Sequence, residues 1–209
     1  MLGIYAVVPA SSAAAAVEAG VRLCAVRAGT LAAVAAPVRR VPRATEASLR
    51  RHDALVRAVA ARVPALLPVR FGTVAADRQA LAALLRGRAP MLRRGLREVR
   101  GRVQMTLRLP VPERRALPAR SSGTAYLRAR AAEHALPALD PVRRATSSWV
   151  RAERVDRTRG MASVYHLVPR SAVAAYLEAV SRGARDTGLR LSVSGPAPPY
   201  AFATPEVVP

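Results

Sequence analysis

The stretch ASVYHLVPRSAVAAYLEAVSRGARDTGLRLSVS, residues 162–194, holds the pattern that decides the fold. Residues 162–168 are an apolar run stopped by Pro169, which suits a strand. Ser171 can cap a helix whose inner face is Val173, Tyr176, Leu177 and Val180, and Gly188 is a natural C-terminal stop. Leu189, Leu191 and Val193 then alternate with Arg190, Ser192 and Ser194, the period of a second strand. Working backwards, residues 102–109 are the clearest strand of all: Val103, Met105, Leu107 and Leu109 point one way, and Arg102, Gln104, Thr106 and Arg108 the other. Between these lies a helical stretch opened by Ser121 or Ser122 and running through Tyr126, Leu127 and His134. Pro137 would cost about 3 kcal/mol inside a helix, so a break is expected there. Asp140-Pro141 restarts the helix, which is expected to reach about Arg157, with Trp149 packed on a neighbour and Gly160 at the end. The order β(102–109), α(122–157), β(162–168), α(171–187), β(189–194) predicts a modified ferredoxin-like fold with a long or broken first helix.

The first half reads as a separate α+β unit. Residues 2–8 and 21–26 suit strands, and 31–38 is a strand or a short helix. Thr45 is expected to cap a helix running toward Val63, with Leu49, His52, Val56, Val59 and Val63 on one stripe. Leu67-Pro-Val-Arg-Phe-Gly-Thr73 follows. A proline within it places it on a sheet edge or in a connection. Asp77 can cap the next helix, with Leu81, Leu84 and Leu85 facing inward. Gly87 and Pro90 break that helix before a second piece, 91–99. The sequence therefore predicts an α+β protein of two domains, 1–100 and 101–209, the second ending in a tail, Gly195-Pro-Ala-Pro-Pro-Tyr-Ala-Phe202, too proline-rich for helix or sheet.

The chain has 209 residues and a formal charge of +21. All 34 basic residues are arginine, and lysine is absent. A GC-rich genome accounts for arginine in place of lysine but not for the shortage of acids. Arginines gather at Arg39, Arg40 and Arg43, again from Arg86 to Arg102, and again from Arg151 to Arg159. A basic surface attracts anions, so a nucleic-acid-binding protein is the alternative reading. Only eight aromatic residues are available to stack bases (one Trp, five Tyr, two Phe), and no nucleic-acid-binding motif is present. The single Cys24 excludes an intrachain disulfide. No signal peptide and no membrane-spanning apolar run is seen, so a cytoplasmic protein without membrane contact is expected.

Little in the sequence points to catalysis. His52-Asp53 has the form of a metal-binding dipeptide, but only His134 and His166 remain as further histidines, and His52 falls on the apolar stripe. His166 lies mid-strand and reads as packing. Cys24 reads as a buried structural thiol. The absence of lysine removes P-loop and Schiff-base chemistry, and no Gly-x-Ser-x-Gly elbow or Cys-x-x-Cys pair occurs. The expectation is no enzyme, no metal and no cofactor.

Two segments carry a family resemblance. Leu67, Pro68, Val69, Arg70, Phe71, Gly72 and Thr73 resemble the LPxRFGT signature of the GvpF/GvpL gas vesicle accessory proteins. Gly195, Pro196, Pro198, Pro199, Tyr200 and Phe202 resemble that family's C-terminal GPWPPYSF signature, with Ala197 where the family has tryptophan. Gly123-Thr-Ala-Tyr-Leu127 resembles its helix start, and Gln104 stands where an acid is usual. The resemblance implies a cytoplasmic assembly factor, chaperone-like or a minor structural component, with two α+β domains and no cofactor. It implies as partners the apolar shell protein of the vesicle wall and other gas vesicle accessory proteins. The signature residues then have two possible roles. They are core pins, Phe71 between helix and sheet and Pro198-Pro199-Tyr200 clamping the tail, or they touch the partner directly.

Overall fold

The computed structural model describes residues 1–111, 136–158, 160–186 and 188–203. It separates into two compact units, one of residues 1–104 with the described tail 197–203, the other of residues 105–196. The expected helix start at 123–127 lies outside the described residues.

The first unit is built on a five-stranded sheet with the order β2-β3-β1-β4 and β5 also paired to β1. Its strands are β1 (Leu2–Pro9), β2 (Cys24–Ala28), β3 (Leu31–Pro37), β4 (Leu67–Pro68) and β5 (Val74–Ala75). The ambiguous segment after Gly29 is therefore a strand, paired antiparallel to both β1 and β2. Alanine and valine suit it because β3 is buried from Leu31 through Ala35. The second strand starts at Cys24 rather than at Val21, which is exposed. Cys24 is thus half-buried at a strand end, not a core thiol.

The short helix α1 (Ala13–Val17) and the long helix α2 (Glu46–Arg62) cover one face. Ala13 and Ala16 of α1 and Val56 and Val59 of α2 cluster with Ala6, Val8, Ala32 and Val34 of the sheet. Thr45 caps α2 as expected, in a capping box: its Oγ1 accepts from Ser48 N–H at 3.2 Å, and Ser48 Oγ accepts from Thr45 N–H at 2.9 Å. His52, Val56 and Val59 of the predicted stripe are buried, while Leu49, one turn from the helix start, is exposed. Asp77 caps α3 (Arg78–Gly87) through Ala80 N–H at 2.8 Å, and α4 (Ala89–Val99) follows with Pro90 in its first turn.

The second unit holds a four-stranded sheet of order β7-β8-β6-β9, from β6 (Arg102–Pro110), β7 (Ala152–Thr158), β8 (Met161–Pro169) and β9 (Ser192–Ala197). Helix α5 (Asp140–Thr146) and helix α6 (Val173–Arg185) pack together. Met105, Leu107 and Leu109 of β6 share a core with Val164 and Val168 of β8, Val142 of α5, and Tyr176 and Val180 of α6; Trp149 packs against it. Leu177, placed on the inner face by the sequence, is instead exposed.

Residues 152–157 are not the end of a helix but the body of β7, paired with β8 so that Val155 faces Val164 and Glu153 faces His166. Alanine, glutamate and arginine favour helix intrinsically, but pairing along a whole strand overrides a weak local preference. As the outermost strand of the sheet, β7 carries charges on most positions, which suits an exposed edge. The tail is also not wholly irregular, because β9 runs through Gly195, Pro196 and Ala197. As the other outermost strand, β9 tolerates a proline that donates no hydrogen bond.

Helices α5 and α6 approach closely at Gly183, where a Cβ would lie 2.9 Å from Val142 Cα and 3.1 Å from Pro141 O. Alanine in a helix interior ordinarily gains roughly 0.5–1 kcal/mol over glycine. Here backbone must move to admit it, so Gly183→Ala should lower stability by about 1–3 kcal/mol in urea unfolding. A gain in stability would mean the two helices are not in this contact.

Candidate functional site

The two signature segments meet on α2. Consecutive residues of that helix hold one each. His52 lies on its buried face, and Nε2–H donates to the carbonyl of Val69 at 3.1 Å. A carbonyl can only accept, so the proton sits on Nε2. Asp53 beside it is half-buried; its Oδ1 accepts from Tyr200 Oη–H at 2.9 Å and its Oδ2 from Arg57 Nε–H at 2.6 Å. His52-Asp53 is thus a structural clasp, not a metal site. Among the described residues no group of three His, Cys, Asp or Glu could hold a metal ion.

The first segment enters as β4, with Leu67 opposite Val7 and Pro68 opposite Ala6. Val69 N–H continues the ladder to Tyr5 O at 2.9 Å. Arg70 through Thr73 then form a β-turn, with Thr73 N–H donating to Arg70 O at 3.2 Å. Gly72 holds φ +85°, which matches the third position of a type II turn and explains glycine there. Thr73 Oγ1 donates to the same carbonyl at 2.8 Å, and Ile4 N–H donates to Thr73 O at 3.0 Å. Leu67, Pro68, Val69 and Thr73 are buried, Phe71 is half-buried, and Arg70 is exposed. Phe71 meets the His52 ring edge-on at a centroid distance of 5.5 Å, and Tyr5 lies against His52 at 5.2 Å. Burial lowers the His52 pKa despite the Val69 hydrogen bond and the Asp53 charge, and burial raises that of Tyr5. A half-open cavity of about 200 Å³ lies beside this cluster, lined in part by Tyr5, Phe71, Gly72 and Thr73.

The second segment closes on the same unit. Gly195 and Pro196 are exposed in β9 and joined by a cis peptide. Pro198 and Pro199 are buried, and the single helical turn Tyr200–Phe202 packs against β4. Phe202 is 2% exposed. Ala201 N–H donates to Gln104 Oε1 at 2.8 Å. The side-chain oxygen of glutamine supplies the acceptor that an acid would supply at that position. Tyr200 is partly exposed, and its pKa is raised by burial first and by the Asp53 hydrogen bond second.

Sequence reasoning found both segments but not the bond that each makes to α2. It also missed a polar cluster in the second unit. His166, fully buried, lies with Nε2 2.9 Å from Glu153 Oε2 and Nδ1 2.8 Å from Tyr176 Oη. The carboxylate accepts from Nε2–H, and in the neutral ring Nδ1 then accepts from the tyrosine hydroxyl. Arg143 Nη2 donates to Glu153 Oε1 at 2.8 Å and Nη1 to Asp140 Oδ1 at 3.0 Å. His166 is therefore more than packing. Its partner is 13 residues away on the neighbouring strand, a pairing with no local sequence signal.

The sequence model of one protein family, described as gas vesicle synthesis protein GvpL/GvpF, matches residues 2–204. The chain belongs to the GvpL/GvpF family. Its fold is similar to the crystal structure of gas vesicle protein GvpF from Anabaena sp. PCC7120, with a TM-score of 0.73 at 15% identity, covering 97% of this chain and 95% of that one. It is similar also to GvpF from Microcystis aeruginosa, with a TM-score of 0.71 at 13% identity, covering 97% and 98%. No curated protein sequence matches it. As a GvpL/GvpF protein the chain takes part in gas vesicle formation. Among the described residues no helix is long and apolar enough to cross a membrane.

In this GvpL/GvpF chain, His52→Leu should cost about 1–3 kcal/mol by leaving the Val69 carbonyl unpaired. The histidine also sets a pH dependence. Its folded pKa is lowered, so the unfolded chain takes up the proton first, and stability falls as pH drops below about 6.5. Urea unfolding at pH 7.5 and pH 5.5 should show this fall shrinking in His52→Leu; an undiminished fall would assign the effect to another group.

Proposed function

We propose that this chain is an accessory assembly factor, chaperone-like or a minor structural component, that binds the apolar shell protein during gas vesicle formation. The observation that carries the reading is the family match across residues 2–204. Shell subunits expose apolar surface before they polymerise and need it covered. The same reading takes the chain as a cytoplasmic non-enzyme without a cofactor, working beside the vesicle and its other accessory proteins. The two compact units are read as two α+β domains. The strand order β7-β8-β6-β9, with α5 ahead of β7 and α6 between β8 and β9, supports a ferredoxin-like second domain.

The burial of Leu67, Pro68, Val69, Thr73, Pro198, Pro199 and Phe202 favours the pinning role for both signatures. The partner surface is then what they shape rather than what they expose. The test is co-purification with the shell protein from one cell, with nuclease added, at low and at moderate salt. Shell protein retained at both salts is the expected result, because apolar contact survives added salt. Nucleic acid retained only at low salt, without shell protein, would replace this reading with the arginine–phosphate alternative.

A further inference from the structure

The cavity beside the first signature turn combines a mainly apolar lining with an exposed arginine, Arg51. Its volume of about 200 Å³ is below the roughly 300–1,000 Å³ of sites for drug-sized ligands, so it suits one or two side chains. Its walls include Val38, Leu55 and the half-buried Phe71, with Tyr5 and His52 beside them. Arg51 lines it and is exposed. Arg39, Arg40 and Arg43 are exposed on the segment that also supplies the lining residues Val38 and Pro42. Among the described residues none of these four arginines has an ion-pair partner. Glu46, the nearest acid in that stretch, is bound by Arg50.

Exposed apolar residues neighbour the lining residues in the chain or along the sheet. Met1, Val41 and Leu49 are 48%, 51% and 45% exposed. Val41 and Leu49 adjoin the lining residues Pro42 and Ser48 in the chain, and Met1 O accepts from Val38 N–H at 3.0 Å. An apolar hollow with an exposed arginine, Arg51, at its rim selects for both features at once. A polyphosphate backbone would satisfy the rim and leave the hollow empty; a neutral apolar segment would fill the hollow and leave the rim unmatched.

We propose that this cavity is a docking pocket for a peptide segment of the shell protein in which an apolar side chain stands next to one or more carboxylates. The inference rests on the assembly-factor reading. The apolar side chain enters beside Phe71, and the carboxylates pair with Arg51 and the arginines of the 39–43 segment. The type II turn at Arg70–Thr73 then has a function beyond its own packing, because it places Phe71 and Gly72 at the pocket wall.

The test uses the full chain and overlapping twelve-residue peptides of the shell protein, labelled for fluorescence anisotropy and made also with Gln and Asn in place of Glu and Asp. Val38→Trp fills the hollow. Arg51→Glu reverses the rim charge at an exposed position without touching the core. The acidic apolar peptides should bind the unaltered chain, and both substitutions and the amide peptides should weaken binding at least about tenfold. Equal binding by the unaltered chain and Arg51→Glu would overturn the proposal, whether or not Val38→Trp folds. Capture of intact shell protein is measured alongside. Capture equally strong by the unaltered chain and Arg51→Glu leaves the assembly reading standing and removes the pocket; no capture by any form removes both.

Discussion

Phe202→Ala should lower the stability of this protein by about 3–5 kcal/mol, the usual cost of emptying a buried phenylalanine site. That is a large part of the 5–15 kcal/mol that typically holds a domain together. Phe202 is 2% exposed and lies in the tail segment that returns to the first unit after β9. Its turn packs on β4, the first two residues of the other signature. Tyr200→Phe is the matched control. It deletes only the hydrogen bond to Asp53 at a partly exposed position, and about 1 kcal/mol is expected. Urea unfolding of both variants, followed by tryptophan fluorescence and by circular dichroism, separates the two roles open to the C-terminal signature. A near-normal Phe202→Ala that no longer holds the shell protein would make the tail a contact surface instead of a pin.

The second large effect is expected at Glu153. Its pKa is lowered to about 2 from 4.5, first by the hydrogen bond from His166 and then, against the opposing effect of burial, by Arg143. Glutamine keeps an acceptor for His166 but turns an amide N–H₂ toward the Arg143 guanidinium, donor against donor. With allowance for partial solvent screening, Glu153→Gln should cost about 2–3 kcal/mol at pH 7. A depressed carboxylate contributes stability that is complete above its unfolded pKa and is lost as pH falls through the folded one. The difference between the two proteins should therefore be constant above about pH 5, shrink below 4.5 and vanish near pH 2. Urea unfolding at pH 7, 5 and 3 reads this directly. A difference that stays the same at pH 3 would show that the carboxylate's charge is not what stabilises the cluster.

Much of the architecture was legible because local periodicity and caps were strong. The strand 102–109 appears as β6, the helix after Ser171 as α6, and Thr45 and Asp77 cap the helices they were expected to cap. Pro68 confined the signature Leu67–Thr73 to a sheet edge or a connection, and it supplies both, a two-residue strand at Leu67–Pro68 and a turn at Arg70–Thr73. Errors fell where a weak local signal met a strong non-local one. Residues 152–158 have helix-favouring composition and a single buried-type residue, Val155, so nothing within the stretch announces a strand. Gln104 and Thr106 alternate with apolar neighbours as solvent-facing residues would, yet both are buried. The pleat period reports which side a residue is on; it does not report whether that side is covered.

By itself the sequence determined the mixed α and β character, the caps at Thr45 and Asp77 though not those expected at Ser171 and Asp140, and, through two specific motifs in order, the family. These follow from interactions spanning a few residues, where side-chain type and spacing are sufficient. Only the tertiary structure decided that His52 and Asp53 each fasten one signature, that Glu153 lies against His166, and that Gly183 must admit a neighbouring helix. Each of those joins residues between 13 and 147 apart in the chain. Contacts at such separation depend on strand pairing and helix packing across the whole unit, and no short window of sequence encodes them.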